Sequence, residues 1–180
     1  MRTKVALIVG LTAFLFAMPL VGCGEKEGEE AQEAVEGEPL HLDGLIYNVA
    51  ITRFLNPGDV EDKAYLVGQQ PEPLDQSYLG VFLTITNEEE EEIGSATSYT
   101  VTDATEREYE SLETASAHAL DIGAPVPADG RIPAPDTIAS QSAIQGSLLL
   151  FLVDDDVSAA RPLELQVEGT GESGHIELDI

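Results

Sequence analysis

The sequence predicts an all-β fold, an antiparallel β-sandwich of about seven strands. Three observations predict it. Apolar residues recur with period two, turn signals separate the alternating runs, and no long run has helical periodicity. Sequential short strands with intervening turns are the profile of a sandwich.

The elements follow in chain order. Period-two patterning begins at Leu40, and Leu45, Tyr47, Val49 and Ile51 are expected on one face of a strand. Asn56-Pro57-Gly58-Asp59 reads as a turn. Leu79, Val81, Leu83 and Ile85 alternate with Gly80, Phe82, Thr84 and Thr86, which predicts a long strand buried on one face and partly covered on the other. Glu88 to Glu92 are five consecutive acids and must be an exposed connection. Tyr99 and Val101 open the next strand, Asp103-Ala104-Thr105 turns it, and Glu106 to Tyr109 returns.

Pro125, Pro127, Pro133 and Pro135 exclude a long regular element across that stretch. A short helix is expected around Thr114 to Leu120. Ser147 to Val153 is the most apolar run after the first 22 residues and predicts a central strand covered on both faces. Leu163, Leu165 and Val167 form one further strand, and Ile176, Leu178 and Ile180 the last.

The chain begins differently. Arg2 and Lys4 precede a 17-residue apolar run, Val5 to Val21, broken only by Gly10, Thr12 and Pro19. A basic stub, an apolar stretch and small residues at its end read as a secretory signal. Leu20-Val21-Gly22-Cys23 resembles the lipobox of bacterial lipoproteins. That resemblance implies cleavage before Cys23 and lipidation of its sulfur with a diacylglycerol. The competing reading is a plain transmembrane anchor, for which the run is short. Two or more acyl chains hold a protein on a bilayer where one does not.

Residues 1–22 are therefore expected to be removed. Residues 23–39 are expected as the lipidated cysteine and a disordered acidic linker with seven Glu and one Lys. Residues 40–180 are the expected sandwich domain. Cys23 is the only cysteine, so no intrachain disulfide can form.

Charge narrows the function classes. Without Arg2 and Lys4 the chain keeps 6 basic and 34 acidic residues, formally −28. Such a surface repels nucleic acid and anionic headgroups, so membrane affinity must come from the lipid. The partners expected are the membrane through that lipid and an envelope protein or small ligand, with no nucleic acid. The chain is expected to be a monomer on the extracytoplasmic face of the cell membrane.

Chemistry-bearing motifs are few. His41, His118 and His175 lack metal-ligand spacing, and Ser140 and Ser142 have no base nearby in sequence. No phosphate-binding glycine motif occurs. No catalytic residue and no cofactor is expected. Asp154, Asp155 and Asp156, at a strand end, are the candidate metal ligands. A Ca²⁺-responsive acidic loop is accordingly the alternative to a non-catalytic display domain.

Tyr78-Leu79-Gly80-Val81-Phe82-Leu83-Thr84-Ile85-Thr86-Asn87 resembles a strand of a family of secreted bacterial lipoproteins of unknown function. Thr102 to Tyr109 is similar to that family's Asp-x-x-Gly-Arg-x-Tyr phrase, with Glu106 where glycine is expected. Pro135-Asp136-Thr137-Ile138, Gly146 to Val153 and Leu163-Glu164-Leu165 extend the resemblance, with Asp136 at a second glycine position. It implies an immunoglobulin-like sandwich shaped like a mycobacterial secreted antigen, and it supplies no catalytic residues.

Overall fold

A computed structural model describes residues 31–180 except Glu72. The export segment, Cys23 and the first part of the linker lie outside the described residues. The seven expected strands are all present, as β3 (Leu45–Leu55), β4 (Gln76–Asn87), β6 (Ser98–Asp103), β7 (Glu108–Leu112), β10 (Ser147–Asp154), β11 (Leu163–Glu168) and β12 (Ser173–Leu178). Five short strands join them: β1 (Gln32–Val35), β2 (Leu40–Leu42), β5 (Ile93–Gly94), β8 (Pro125–Val126) and β9 (Arg131–Ile132).

Two sheets face each other. In the first the order is β1-β12-β11-β6, and in the second it is β10-β4-β3-β2, with β9 also on β4. β7 joins them, pairing with β6 through Glu108–Glu110 and with β10 through Ser111–Leu112. All these pairs are antiparallel except β1 with β12. The result is an antiparallel β-sandwich.

The inward residues are the ones alternation selects. Tyr99, Val101, Leu163, Leu165, Val167 and Ile176 from one sheet meet Tyr47, Val49, Leu79, Val81, Leu83, Ile85, Leu149, Phe151 and Val153 from the other, all essentially inaccessible. β10 is central and buried on both faces, as its unbroken apolar run requires. On the second sheet's outer face, Leu55, Tyr78, Phe82, Leu148 and Leu150 form a smaller apolar cluster with Tyr65. Gly80 sits within it. A Cβ there would lie 3.0 Å from a Leu55 methyl and 3.2 Å from a Leu148 methyl, so glycine lets these side chains lie flat on the sheet.

Three expectations are corrected. The linker does not run to Pro39, because Gln32–Val35 adds to β12 in parallel. Ala34 packs on the core, and the Glu36 carboxylate accepts from the Thr52 and Asp179 amides, both at 3.1 Å. A strand's outward Glu residues hide its inward small ones from a compositional reading.

Ile51 does not share the face of Leu45, Tyr47 and Val49. A bulge at Ala50 shifts the register, so Ile51 pairs with outward-facing Phe82 and Thr52 turns inward. No helix forms at Thr114 to Leu120. That segment runs beside β10, where Leu148 N donates to His118 O at 2.7 Å and Leu120 N to Leu148 O at 2.8 Å, so its backbone bonds go to the sheet. The short helix is instead α1 (Ile138–Gln141), capped by the Thr137 side chain.

The Glu88 to Glu92 connection is exposed as expected. Asn87, 1% exposed, organises it: its side-chain amide donates to Glu91 O and Val126 O, and its oxygen accepts from Glu89 N. The β2–β3 hairpin turns on Asp43 and Gly44, both at positive φ, the pair a tight two-residue turn demands. The Asp43 carboxylate then accepts from the Thr170 and Gly171 amides, tying this hairpin to the β11–β12 turn.

Candidate functional site

The best-organised polar cluster lies at the corner where β6 turns into β7 and the chain passes between sheets. Asp103 ends β6 with its side chain fully buried. Its Oδ1 accepts from Thr105 N at 2.8 Å, Thr105 Oγ1 at 2.7 Å and Arg107 N at 3.1 Å. Its Oδ2 accepts from Arg107 Nε at 2.7 Å. Burial pushes this carboxyl up, but the Thr105 and Arg107 hydrogen bonds outweigh it and hold the pKa at about 2.

Arg107 reaches from this corner to the end of β10. Its Nη1 lies 3.1 Å from Asp154 Oδ2 and 2.9 Å from Asp156 Oδ1. Hydrogen bonds to Asp156 and Asp103 raise its pKa above the ordinary arginine range. Tyr109 Oη donates to Asp154 Oδ2 at 3.4 Å; burial, followed by the Asp154 charge, raises the phenol's pKa. One guanidinium thus binds the first sheet's corner to the second sheet's central strand. Glu106, at the expected glycine position, has φ +64°, so the turn keeps the left-handed conformation that glycine serves best. Asp136, the other departure, is not among the positive-φ residues and needs no glycine.

The three candidate metal ligands do not converge. Asp154 and Asp156 turn to Arg107. Asp154 Oδ1 also accepts from Gln76 Nε2 at 3.3 Å, while Asp155 Oδ1 accepts from Ser77 Oγ at 2.6 Å. Ca²⁺ needs six to eight converging oxygens. Here the cation that gathers the acids is a side chain of the protein. Among the described residues no group of three or more His, Cys, Asp or Glu is placed to hold a metal ion. The chain pattern could have signalled this, since Arg107 is one of only six basic residues after Cys23. Its partners, 47 and 49 residues away, were not visible from spacing.

The histidines stay apart. His41 is exposed on β2, and His175 on β12 faces Glu33 at 3.6 Å. His118 is buried in the cover over the second sheet. The Ser140 and Ser142 hydroxyls donate to backbone carbonyls of Thr137 and Ile144. An open hollow of about 530 Å³ runs along Gln32 and Glu168 to Ser173.

No protein-family model matches the sequence, and no curated protein matches it. The fold has solved likenesses. An uncharacterised β-sandwich protein from Clostridium difficile is similar over 86% of this chain and 99% of its own, with 15% identity and a TM-score of 0.53. The candidate lipoprotein ycdA of Bacillus subtilis is similar over 80% of this chain, with 15% identity and a TM-score of 0.52. This chain spans only 38% of ycdA. The secreted Mycobacterium tuberculosis protein MPT63 is similar over 84% of this chain and 99% of its own, with 12% identity and a TM-score of 0.50. At these identities the likeness concerns the fold: the chain is an antiparallel β-sandwich of the same kind as these proteins.

Proposed function

We propose that the chain is an exported lipoprotein, held on the extracytoplasmic face of a membrane by lipid on Cys23, and that its sandwich is a non-catalytic display domain for an envelope protein or ligand. The observation that carries this reading is Leu20-Val21-Gly22-Cys23 directly after the apolar run. The fold agrees with it, since proteins described as a lipoprotein and as a secreted protein share the architecture. Among the described residues no helix is long and apolar enough to cross a membrane.

The fold makes the reading directional. Eight residues, 24–31, separate Cys23 from β1. Fully extended, the chain from Cys23 to Gln32 spans about 30 Å. β1 runs parallel to β12 from Gln32 beside Gly174. On this reading the tether enters at the end bearing the Asp43 hairpin and the Gly169 to Glu172 turn. The Arg107 corner lies at the opposite end, and acids at the near end oppose anionic headgroups.

Fractionation of cells expressing wild-type and Cys23→Ala chains tests this. Wild type should sediment with membranes and enter detergent, whereas Cys23→Ala should not be retained as a mature membrane-bound form. Equal partition of both, with the same processing, would remove the proposal.

A further inference from the structure

The second sheet's outer face is covered by two segments laced to each other. Residues 56–70 supply Tyr65, and residues 113–120 supply Ser116 and His118. Ser116 Oγ donates to Ala64 O at 2.8 Å, Ala115 N to Val67 O at 3.2 Å, and Gln69 Nε2 to Glu113 O at 2.7 Å. Beneath lie Leu55, Tyr78, Phe82, Leu148 and Leu150, an apolar surface that water would otherwise meet. The His118 ring closes the seam, with its centroid 4.8 Å from that of Tyr65 in an edge-to-face arrangement. His118 is 7% exposed, and its buried Nδ1 has no hydrogen-bond partner.

We propose that His118 is a proton-operated release for this cover, opening the outer apolar face of the second sheet under mildly acidic conditions. The imidazolium donates from both ring nitrogens. At Nδ1 that places a buried N–H with no acceptor among apolar and aromatic groups, which costs the full desolvation of the group. Opening the seam returns the cation to water.

Among the described residues no ion pair compensates a charge on His118. On the packed 3₁₀ turn (Asp62–Ala64), Asp62 is paired with Arg53, and neither it nor Lys63 bonds the ring. β4 and β10 present Phe82 and Leu148 there, and the Tyr65 ring stands edge-to-face with the imidazole. Glu113 and Asp121, on the segment's own flanks, make no ion pair with His118. Burial lowers the ring's pKa accordingly. The sign follows. In the closed state the ring resists protonation, while in the open state it titrates near the free value of about 6.5. Closure is therefore strongest above that pH and weakens as pH falls below it.

Hydrogen exchange read by mass spectrometry tests this between pH 7.5 and 5, with protection corrected for intrinsic rate and referred to β11. The opening equilibrium of residues 113–120 should rise by up to about tenfold per pH unit below about 6.5. β11 should not change. His118→Phe keeps a ring at the seam and cannot take a proton, so its cover should lose the pH step. If His118→Phe does not fold, His118→Gln serves the same purpose. A wild-type cover with unchanged protection at pH 5 would overturn the proposal, and so would a step that persists in the neutral variant.

Discussion

Glu106 shows what one residue in the corner costs. An L side chain at φ +64° carries roughly 1 kcal/mol of steric strain that glycine avoids, less glycine's extra unfolded-state entropy. Glu106→Gly should therefore raise the urea midpoint, by up to about 1 kcal/mol of stability; an unchanged or lowered midpoint would mean that the turn gains from the glutamate. Asp103 governs the acid limit of the same corner. Its folded pKa of about 2 lies below the ordinary 3.8, so the ionised carboxylate stabilises the fold above about pH 4. That contribution is lost as pH falls from 4 toward 2. Urea titrations at pH 5, 3.5 and 2.5 should show it, and Asp103→Asn should flatten the slope in this window while lowering stability at pH 5. The Asp-x-x-x-Arg-x-Tyr pattern was readable as a motif. Its purpose was not, because Arg107 binds Asp154 and Asp156 from a distant strand.

Among the elements, β1 is the informative one. Its four residues lie in a segment whose glutamates read as a solvated tether, and the one that packs on the core, Ala34, carries little apolar signal. Glu36 then fastens both sheets by accepting the Thr52 and Asp179 amides. Glu36→Ala should destabilise the domain by about 1–2 kcal/mol and raise exchange at β1 ahead of the core strands. Loss of stability without local exchange at β1 would place the glutamate's effect elsewhere. Strands rich in apolar residues were legible for the opposite reason. In β4 and β10 almost every side chain is buried, and composition alone reveals it. The Ala50 bulge was not legible, since one extra residue reverses every later face and leaves no compositional trace.

For the whole molecule, charge and core separate cleanly. Among the described residues the acids stand on turns and outward strand faces except buried Asp62 and Asp103, while the sandwich is closed by side chains with almost no exposure. A core of this kind makes Phe151→Ala cost about 3–5 kcal/mol, measured by chemical unfolding. At the strand end Arg107 already pairs with two of the three candidate acids. Millimolar Ca²⁺ should then shift the melting temperature no more than the same ionic strength of Na⁺ does. A Ca²⁺-specific rise, abolished by Asp155→Asn, would restore the cation-responsive reading.

What the sequence held about function lay almost wholly in four residues before the domain. Mass spectrometry of the chain extracted from membranes tests them directly. The expected result is a mature N-terminus at Cys23 carrying a thioether-linked diacylglycerol. An unmodified Cys23, or a chain that retains Met1 to Gly22, would contradict it.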